Sequence, residues 1–255
     1  MKRTMTTLAA LLLLAMAAVP AHAVASVTAA AAHTVTFVNR SGQTIWLGSQ
    51  VNADQSVNFT SLPTLANGQS ATVAIPENSF PNHWRGKFVA RQYCSGTSGS
   101  TFHCLVGDCG VYADHCTVGE QPAGLAEFNF DTADSLAPWY NVSYVNAFSL
   151  PLTIAPNNAP APPAGGGSCQ VMGCTTDLLP YCPAANVTNY PGTSTRMLCT
   201  NPNRDAQTAY SNALGSHCPY AYSWSKADSV PGNQVIRQCA NCTGFTITYY
   251  APGTA

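Results

Sequence analysis

Between His33 and Ile75, apolar and polar residues alternate in short runs: Thr34-Val35-Thr36-Phe37-Val38, Thr44-Ile45-Trp46-Leu47, Ser56-Val57-Asn58-Phe59-Thr60 and Ala71-Thr72-Val73-Ala74-Ile75. Each is rich in β-branched and aromatic side chains, and turn residues such as Ser41-Gly42 or Asn67-Gly68 close them. Successive side chains of a strand point to opposite faces, so a period of two puts one face in a core and leaves the other in water. The runs are predicted to be antiparallel strands at the spacing of a sandwich. Further strands are predicted over 87–94, 125–130, 140–145 and 245–249. Helical periodicity is nearly absent; its best candidates, 205–214 and 175–179, are both short. The expected fold class is all-β, with little helix.

The pattern breaks at Ala155-Pro156-Asn157-Asn158-Ala159-Pro160-Ala161-Pro162-Pro163-Ala164-Gly165-Gly166-Gly167. Such a segment is expected to form neither ladder nor helix, so 155–168 reads as a linker. It separates a sandwich core, 33–154 together with 239–255, from a cysteine-rich lobe, 169–238, whose loops would be held by bridges because its own core is thin. At the other end, Met1-Lys2-Arg3 precedes an apolar run from Leu8 to Ala18 and the small-x-small triplet Ala21-His22-Ala23. That is the make-up of a secretory signal peptide over 1–23, with a short Ala-rich leader over 24–32 behind it. A membrane span needs about 20 apolar residues, more than this run supplies. A secreted, extracellular product without a membrane anchor is expected.

Composition narrows the function. Of 255 residues, 46% are hydrophobic and only 8% are charged, against about 25% charged in an ordinary soluble domain. A coiled coil, a charge-driven disordered chain and a nucleic-acid binder with a basic face are excluded. The net charge of −1 implies no phosphate-backbone partner. All 11 cysteines lie at or beyond Cys94, and in an oxidising compartment they are expected to be bridged, with one left over. Cys239-Ala240-Asn241-Cys242 has the spacing of half a zinc site, but no second pair completes four ligands. No Gly-x-Ser-x-Gly, HExxH or phosphate loop occurs, and His22, His33, His83, His103, His115 and His217 show no ligand spacing. No metal or cofactor is expected. Asn39, Asn58, Asn141, Asn186 and Asn241 head glycosylation sequons.

Seven fragments in order carry a family resemblance: Phe37-Val38-Asn39-Arg40 with Thr44-Ile45-Trp46; Trp84-Arg85-Gly86-Lys87-Phe88-Val89-Ala90-Arg91 before Cys94; Gly107-Asp108-Cys109-Gly110; Leu125-Ala126-Glu127-Phe128; Tyr140-Asn141-Val142-Ser143-Tyr144-Val145-Asn146-Ala147-Phe148-Ser149-Leu150-Pro151; Cys218-Pro219-Tyr220-Ala221-Tyr222-Ser223; and Phe245-Thr246-Ile247-Thr248-Tyr249. The chain resembles the thaumatin-like proteins, which include antifungal pathogenesis-related proteins of plants. The resemblance implies a β-sandwich beside a disulfide-rich loop lobe. It also implies the bridges Cys94–Cys104, Cys109–Cys116, Cys169–Cys239, Cys174–Cys218 and Cys182–Cys199, with Cys242 unpaired. The family's bridge between first and last strands is missing at both ends, where Ser41 and Tyr250 stand.

Family members that act on fungal walls carry an acidic cleft lined by one Arg, one Glu and three Asp. By resemblance the Arg falls on Lys87, the Glu on Glu127, two of the Asp on Asn141 and Asn146, and the third at Ala227-Asp228. Glycoside hydrolysis ordinarily needs two carboxyl groups, about 5 to 5.5 Å or about 6.5 to 9.5 Å apart, and an amide cannot take the proton. Glu127 is a candidate acid, with Asp228, or else Asp131 or Asp134, as its partner. Amides suit sugar hydroxyls, and Tyr140, Tyr144, Tyr222 and Trp224 are candidates to stack on pyranose faces. Glu127 also fits a plain solvated strand residue, Lys87 a solvent-facing lysine, and Asp108 a turn former. The leading expectation is a monomeric binder of cell-wall β-1,3-glucan with an antifungal or wall-remodelling role. The alternatives are a weak endo-β-1,3-glucanase and a structural module with no cleft function.

Overall fold

The structure, a computed structural model, describes residues 32–161 and 167–253. The expected signal peptide and residues 24–31 of the leader lie outside the described residues. In chain order the strands are β1 (Thr34–Arg40), β2 (Ile45–Val51), β3 (Thr64–Leu65), β4 (Ser70–Ala74), β5 (His83–Ser95), β6 (His103–Val106), β7 (Leu125–Asp131) and β8 (Trp139–Ser143). They continue with β9 (Ala147–Phe148), β10 (Leu152–Asn157), β11 (Met172–Cys174), β12 (Val187–Asn189), β13 (Arg196–Thr200), β14 (Arg237–Gln238) and β15 (Gly244–Tyr250). One helix, α1 (Ala209–His217), lies between β13 and β14. The all-β class is as expected.

Two sheets face each other. One runs β11-β10-β15-β1-β4, and the other runs β14-β8-β7-β5-β2-β3 with β6 paired to β5. The alternation of β1 and β7 now has its cause: Val35, Phe37, Phe128 and Phe130 are buried between the sheets, while Thr36, Glu127 and Asn129 face out. Aromatic rings bridge the layers, Phe37 to Phe88 at 5.0 Å and Tyr140 to Phe245 at 4.7 Å between centroids. Trp84 stacks on Phe88 at 5.1 Å. Nearly all of this core is apolar surface removed from water, worth about 25 cal/mol per Å².

Alternation fails along β5 from Phe88 to Gln92, where five residues in a row are buried. The outward-facing pair Val89 and Leu125 is covered there by Met197 and Leu198 of β13, in a second small core. One step away on the same face, Lys87 and Glu127 are only partly covered. The outer face of the large sheet is thus sealed at one end and open at the other. Gly48 of β2 permits the seal, since a Cβ there would lie 2.5 Å from the Cys116 sulfur.

Several expectations are corrected. Residues 56–60 form a loop, not a strand. Val57 O accepts from Trp84 Nε1 (2.9 Å), Ser56 Oγ accepts from Arg85 N (3.0 Å), and Phe59 packs on Trp84, so the loop lies across the core. β10 runs to Asn157, three residues into the expected linker. Its pairing with β11 ends at Ile154, leaving Pro156 on a stretch with one open edge, where a residue lacking an N–H is tolerated. Residues 162–166 of that linker lie outside the described residues. The helix begins at Ala209 because Thr208 caps it: Ser211 N donates to Thr208 Oγ1 (3.3 Å) and Thr208 N donates to Ser211 Oγ (2.8 Å). The other expected helix is a turn followed by the 3-10 turn Leu179–Tyr181, with Asp177 accepting from Leu179 N (3.0 Å). Of the sequon asparagines, Asn39 is committed inward, buried and donating to Leu65 O (2.8 Å), and Asn141 is covered on the outer face of the sheet, where it bonds Glu127.

Five disulfides join Cys94 to Cys104, Cys109 to Cys116, Cys169 to Cys239, Cys174 to Cys218 and Cys182 to Cys199, and Cys242 is a buried thiol. Three of them lie in the region 169–239, which gives β11 and β14 to the two sheets, so the expected lobe boundary at 169 and 238 cuts through them. The loop-rich stretch between β11 and β14, the lobe, is also hooked onto the sheet by backbone: Tyr222 N donates to Val142 O (2.9 Å) and Tyr144 N donates to Tyr222 O (2.7 Å).

Candidate functional site: a groove between sheet and lobe

Cross-strand register builds the floor of the groove. Lys87 of β5, Glu127 of β7 and Asn141 of β8 stand directly opposite one another in one transverse row. The next row outward is Arg85, Asn129 and Trp139, and the one after it pairs His83 with Asp131. Because all share one face of the pleat, three polar rows form a continuous band. The lobe walls the band on one side. A cleft of about 180 Å³ is lined by Lys87, Glu127, Ser143, Asn146, Arg204 and Tyr222, among others. A second, of about 250 Å³, continues past Lys87 and Glu127 to Asn52, Asn129, Trp139 and Asn141.

Glu127 lies at the junction of the two. Asn141 Nδ2 donates to its Oε2 at 2.8 Å. Burial is the largest influence on this carboxyl and pushes its pKa above the ordinary carboxylate value. The Asn141 hydrogen bond and the nearby Lys87 and Arg204 cations oppose the rise, while Glu120 adds to it. Glu120 is the residue that sequence reasoning missed. The chain has three glutamates, Glu77, Glu120 and Glu127, and two of them converge on Lys87. Lys87 Nζ donates to Glu120 Oε1 at 2.7 Å, and the Glu120 side chain is only 5% exposed. The signal available was an isolated charge just before a strand, in Val118-Gly119-Glu120-Gln121-Pro122.

The outer rows are tied by charge. Arg85 reaches Asp131 (2.5 Å), Asn129 (3.1 Å) and Asp54 (3.6 Å), and His83 Nε2 lies 3.2 Å from Asp54. Trp139 Nε1 donates to Asp134 Oδ2 at 2.8 Å, which fixes the indole at the end of the band.

The structure separates the sequence candidates into two groups. Lys87, Glu127, Asn141, Asn146 and Tyr222 meet in the groove. Tyr144 does not: it is buried, its hydroxyl accepts from Leu152 N (3.2 Å), and the ring packs on Phe148. Tyr140 is equally a core residue, its hydroxyl donating to Gln170 O (2.5 Å). Trp224 lines a different pocket, within the lobe. Asp228 is exposed on the 3-10 turn Ala227–Ser229 and is not among the residues lining either cleft that holds Glu127. Burial first, and then the charges of Asp228 and Glu127, raise the Tyr222 phenol above its ordinary value. Asp131 and Asp134 are taken up by Arg85 and Trp139. The other carboxylate acting on Glu127 is Glu120, held by Lys87, though like Asp228 it is not among the residues lining either cleft. Asp108 is a turn former, accepting from Cys104 N (3.3 Å).

Comparison with known sequences decides the family. The model of the Thaumatin family matches residues 39–251. The chain belongs to that family. Among its thaumatin relatives, pathogenesis-related thaumatin-like protein 3.5 of Cryptomeria japonica is 30% identical over 237 residues, covering 86% of this chain and 90% of the relative. A thaumatin-like protein of Arabidopsis thaliana is 31% identical over 220 residues, 78% of this chain and 84% of the relative. The thaumatin-like fold also aligns with a laminaripentaose-producing β-1,3-glucanase solved in complex with laminaritetraose, at TM-score 0.52 and 11% identity, covering 88% of this chain and 99% of that one. At that identity the likeness is one of fold. This thaumatin-family member has the sandwich, the lobe and, between them, a groove lined by Asn141 and Asn146 together with Lys87, Glu127 and Arg204.

Proposed function

We propose that the chain is a secreted thaumatin-like protein that binds neutral β-1,3-glucan of cell walls along this groove, in a defence-related role. The observation that carries the reading is that Glu127 and Glu120 each meet a donor. Asn141 holds Glu127, and Lys87 holds Glu120. The groove then offers a neutral glucan amide donors and acceptors from Asn129, Asn141 and Asn146, with Trp139 and Tyr222 as faces for pyranose rings. Its relatives include proteins named as pathogenesis-related, which supports the defence role.

A second reading has its own support. A carboxyl raised by burial beside another carboxylate is the arrangement of an acid and a base, so Glu127 as general acid with Glu120 as base would make a weak endo-β-1,3-glucanase. Sedimentation with insoluble β-1,3-glucan, run beside a reducing-end assay, tests both. Retention on the pellet with no new reducing ends is expected. Reducing ends that vanish in Glu127→Gln would replace binding with hydrolysis. Absence of both retention and release would leave a structural module and overturn the proposal. Asn146→Asp, which adds a carboxylate to the groove, should raise any hydrolysis present.

A further inference from the structure

The lobe holds a second concavity, outside the groove. It measures about 230 Å³ and lies between α1 and the segment that follows it. No Asp, Glu, Lys, Arg or His lines it; its polar lining is Gln207, Ser211, Asn212, Ser216, Ser223 and Asn233, and its largest apolar member is Trp224. Two of the polar groups are fixed before any ligand arrives. Ser211 exchanges hydrogen bonds with Thr208, and Asn233 Nδ2 donates to Ala227 O at 2.8 Å. A pocket whose polar groups are already placed loses less freedom on binding.

One lining residue is a glycine. Gly215 lies inside the nine-residue α1, where glycine costs about 1 kcal/mol against alanine. A Cβ at that position would stand 3.1 Å from Ser223 Oγ, so a larger side chain there presses on Ser223, itself part of the lining. The segment also divides its side chains: Tyr222 and Ser225 line the groove, and Ser223 and Trp224 line this pocket. Uncharged donors and acceptors around one indole match a ring with hydroxyls at its edge and C–H groups on its face. The volume lies below the roughly 300–1,000 Å³ of drug-sized sites and suits one ring better than a chain.

We propose that this pocket is a second saccharide site, taking a single neutral hexosyl residue against Trp224, independently of the groove. Three of the four tryptophans supply separate reporters. Trp139 belongs to the groove and Trp224 to the pocket, whereas the indole of Trp84 is buried and bonded to Val57 O, so it reports folding. The ¹⁵N-labelled full chain is titrated with laminaribiose to about 50 mM, well past a millimolar Kd. The Trp224 indole resonance is expected to shift saturably. In Gly215→Leu that response should weaken at least about tenfold, with any Trp139 response and the Trp84 resonance unchanged. If the Trp84 resonance moves in Gly215→Leu, Gly215→Ala takes its place. A static Trp224, or a Trp224 shift that persists in the glycine variants, overturns the pocket. A shift at Trp139 alone overturns the pocket and leaves the groove reading standing; a shift at Trp224 alone does the reverse.

Discussion

The two walls of the groove are held by different physics. On the sheet side, Lys87, Glu127 and Asn141 stand on strands whose other faces bury Trp84, Phe88, Phe128 and Tyr140, so their positions follow from ladder register over a packed aromatic layer. On the lobe side, Tyr222, Arg204 and Asn146 come from loops and short elements, tied by disulfides and a few backbone hydrogen bonds such as Asn201 N to Asn146 O (3.0 Å). A site between two such walls has one face that resists deformation and one that follows its cross-links. Ligand-driven adjustment is therefore expected in the lobe, not in the sheet.

The largest expected effect breaks the rigid wall. Trp84→Ala empties a fully buried site flanked by Phe59, Phe88 and Phe130, and should cost about 3–5 kcal/mol in a denaturant titration. Both walls should lose hydrogen-exchange protection together, because the lobe hangs on β8. Protection retained in the lobe would show that it folds apart from the sandwich.

Replacing Cys174 and Cys218 by alanine is the next test. It opens a link spanning 44 residues and should cost about 2–4 kcal/mol. Faster amide exchange is expected over 175–217, while β5 and β7 keep theirs. Equal loss in β7 would erase the contrast between the walls.

The smallest effect concerns pH. Burial raises the Glu127 pKa in the folded chain above its ordinary value, so the folded state holds this proton more tightly than the unfolded one. The stability this contributes is complete below the unfolded pKa and is lost as pH rises through the folded one. Glu127→Gln, whose amide oxygen can still accept from Asn141, should match the wild type at low pH and exceed it in stability above the raised pKa. Thermal melts across pH compare the two. A difference that does not change with pH would mean that Glu127 titrates as it does in water.

The sandwich was legible because alternation of Val35, Phe37, Phe128 and Phe130 with polar neighbours is a local signal, and the groove centre because the family resemblance carried its cleft residues onto Glu127 and Asn141. What was missed depends on tertiary placement. Glu120 is in a loop, and its approach to Lys87 follows from the course of residues 107–124, which no periodicity encodes. Tyr144 and Trp224 sit beside groove residues in sequence but point elsewhere once β8 ends and the lobe turns. The run at 56–60 alternates like a strand, yet Val57 is exposed and Ser56 is buried, so its pattern does not record which side faces the core. Pro156 argued against a strand, yet it stands where one edge of β10 is unpaired.

β15 is the last strand of the chain, and it lies in the middle of its sheet, between β10 and β1, with Gly244 to Tyr250 running parallel to Thr34 to Arg40. β1 therefore waits, one edge unsatisfied, until Gly244–Tyr250 has been made. Closure of this half of the molecule is a late, long-range event. Deleting Gly244–Tyr250 would strike at the centre of the architecture.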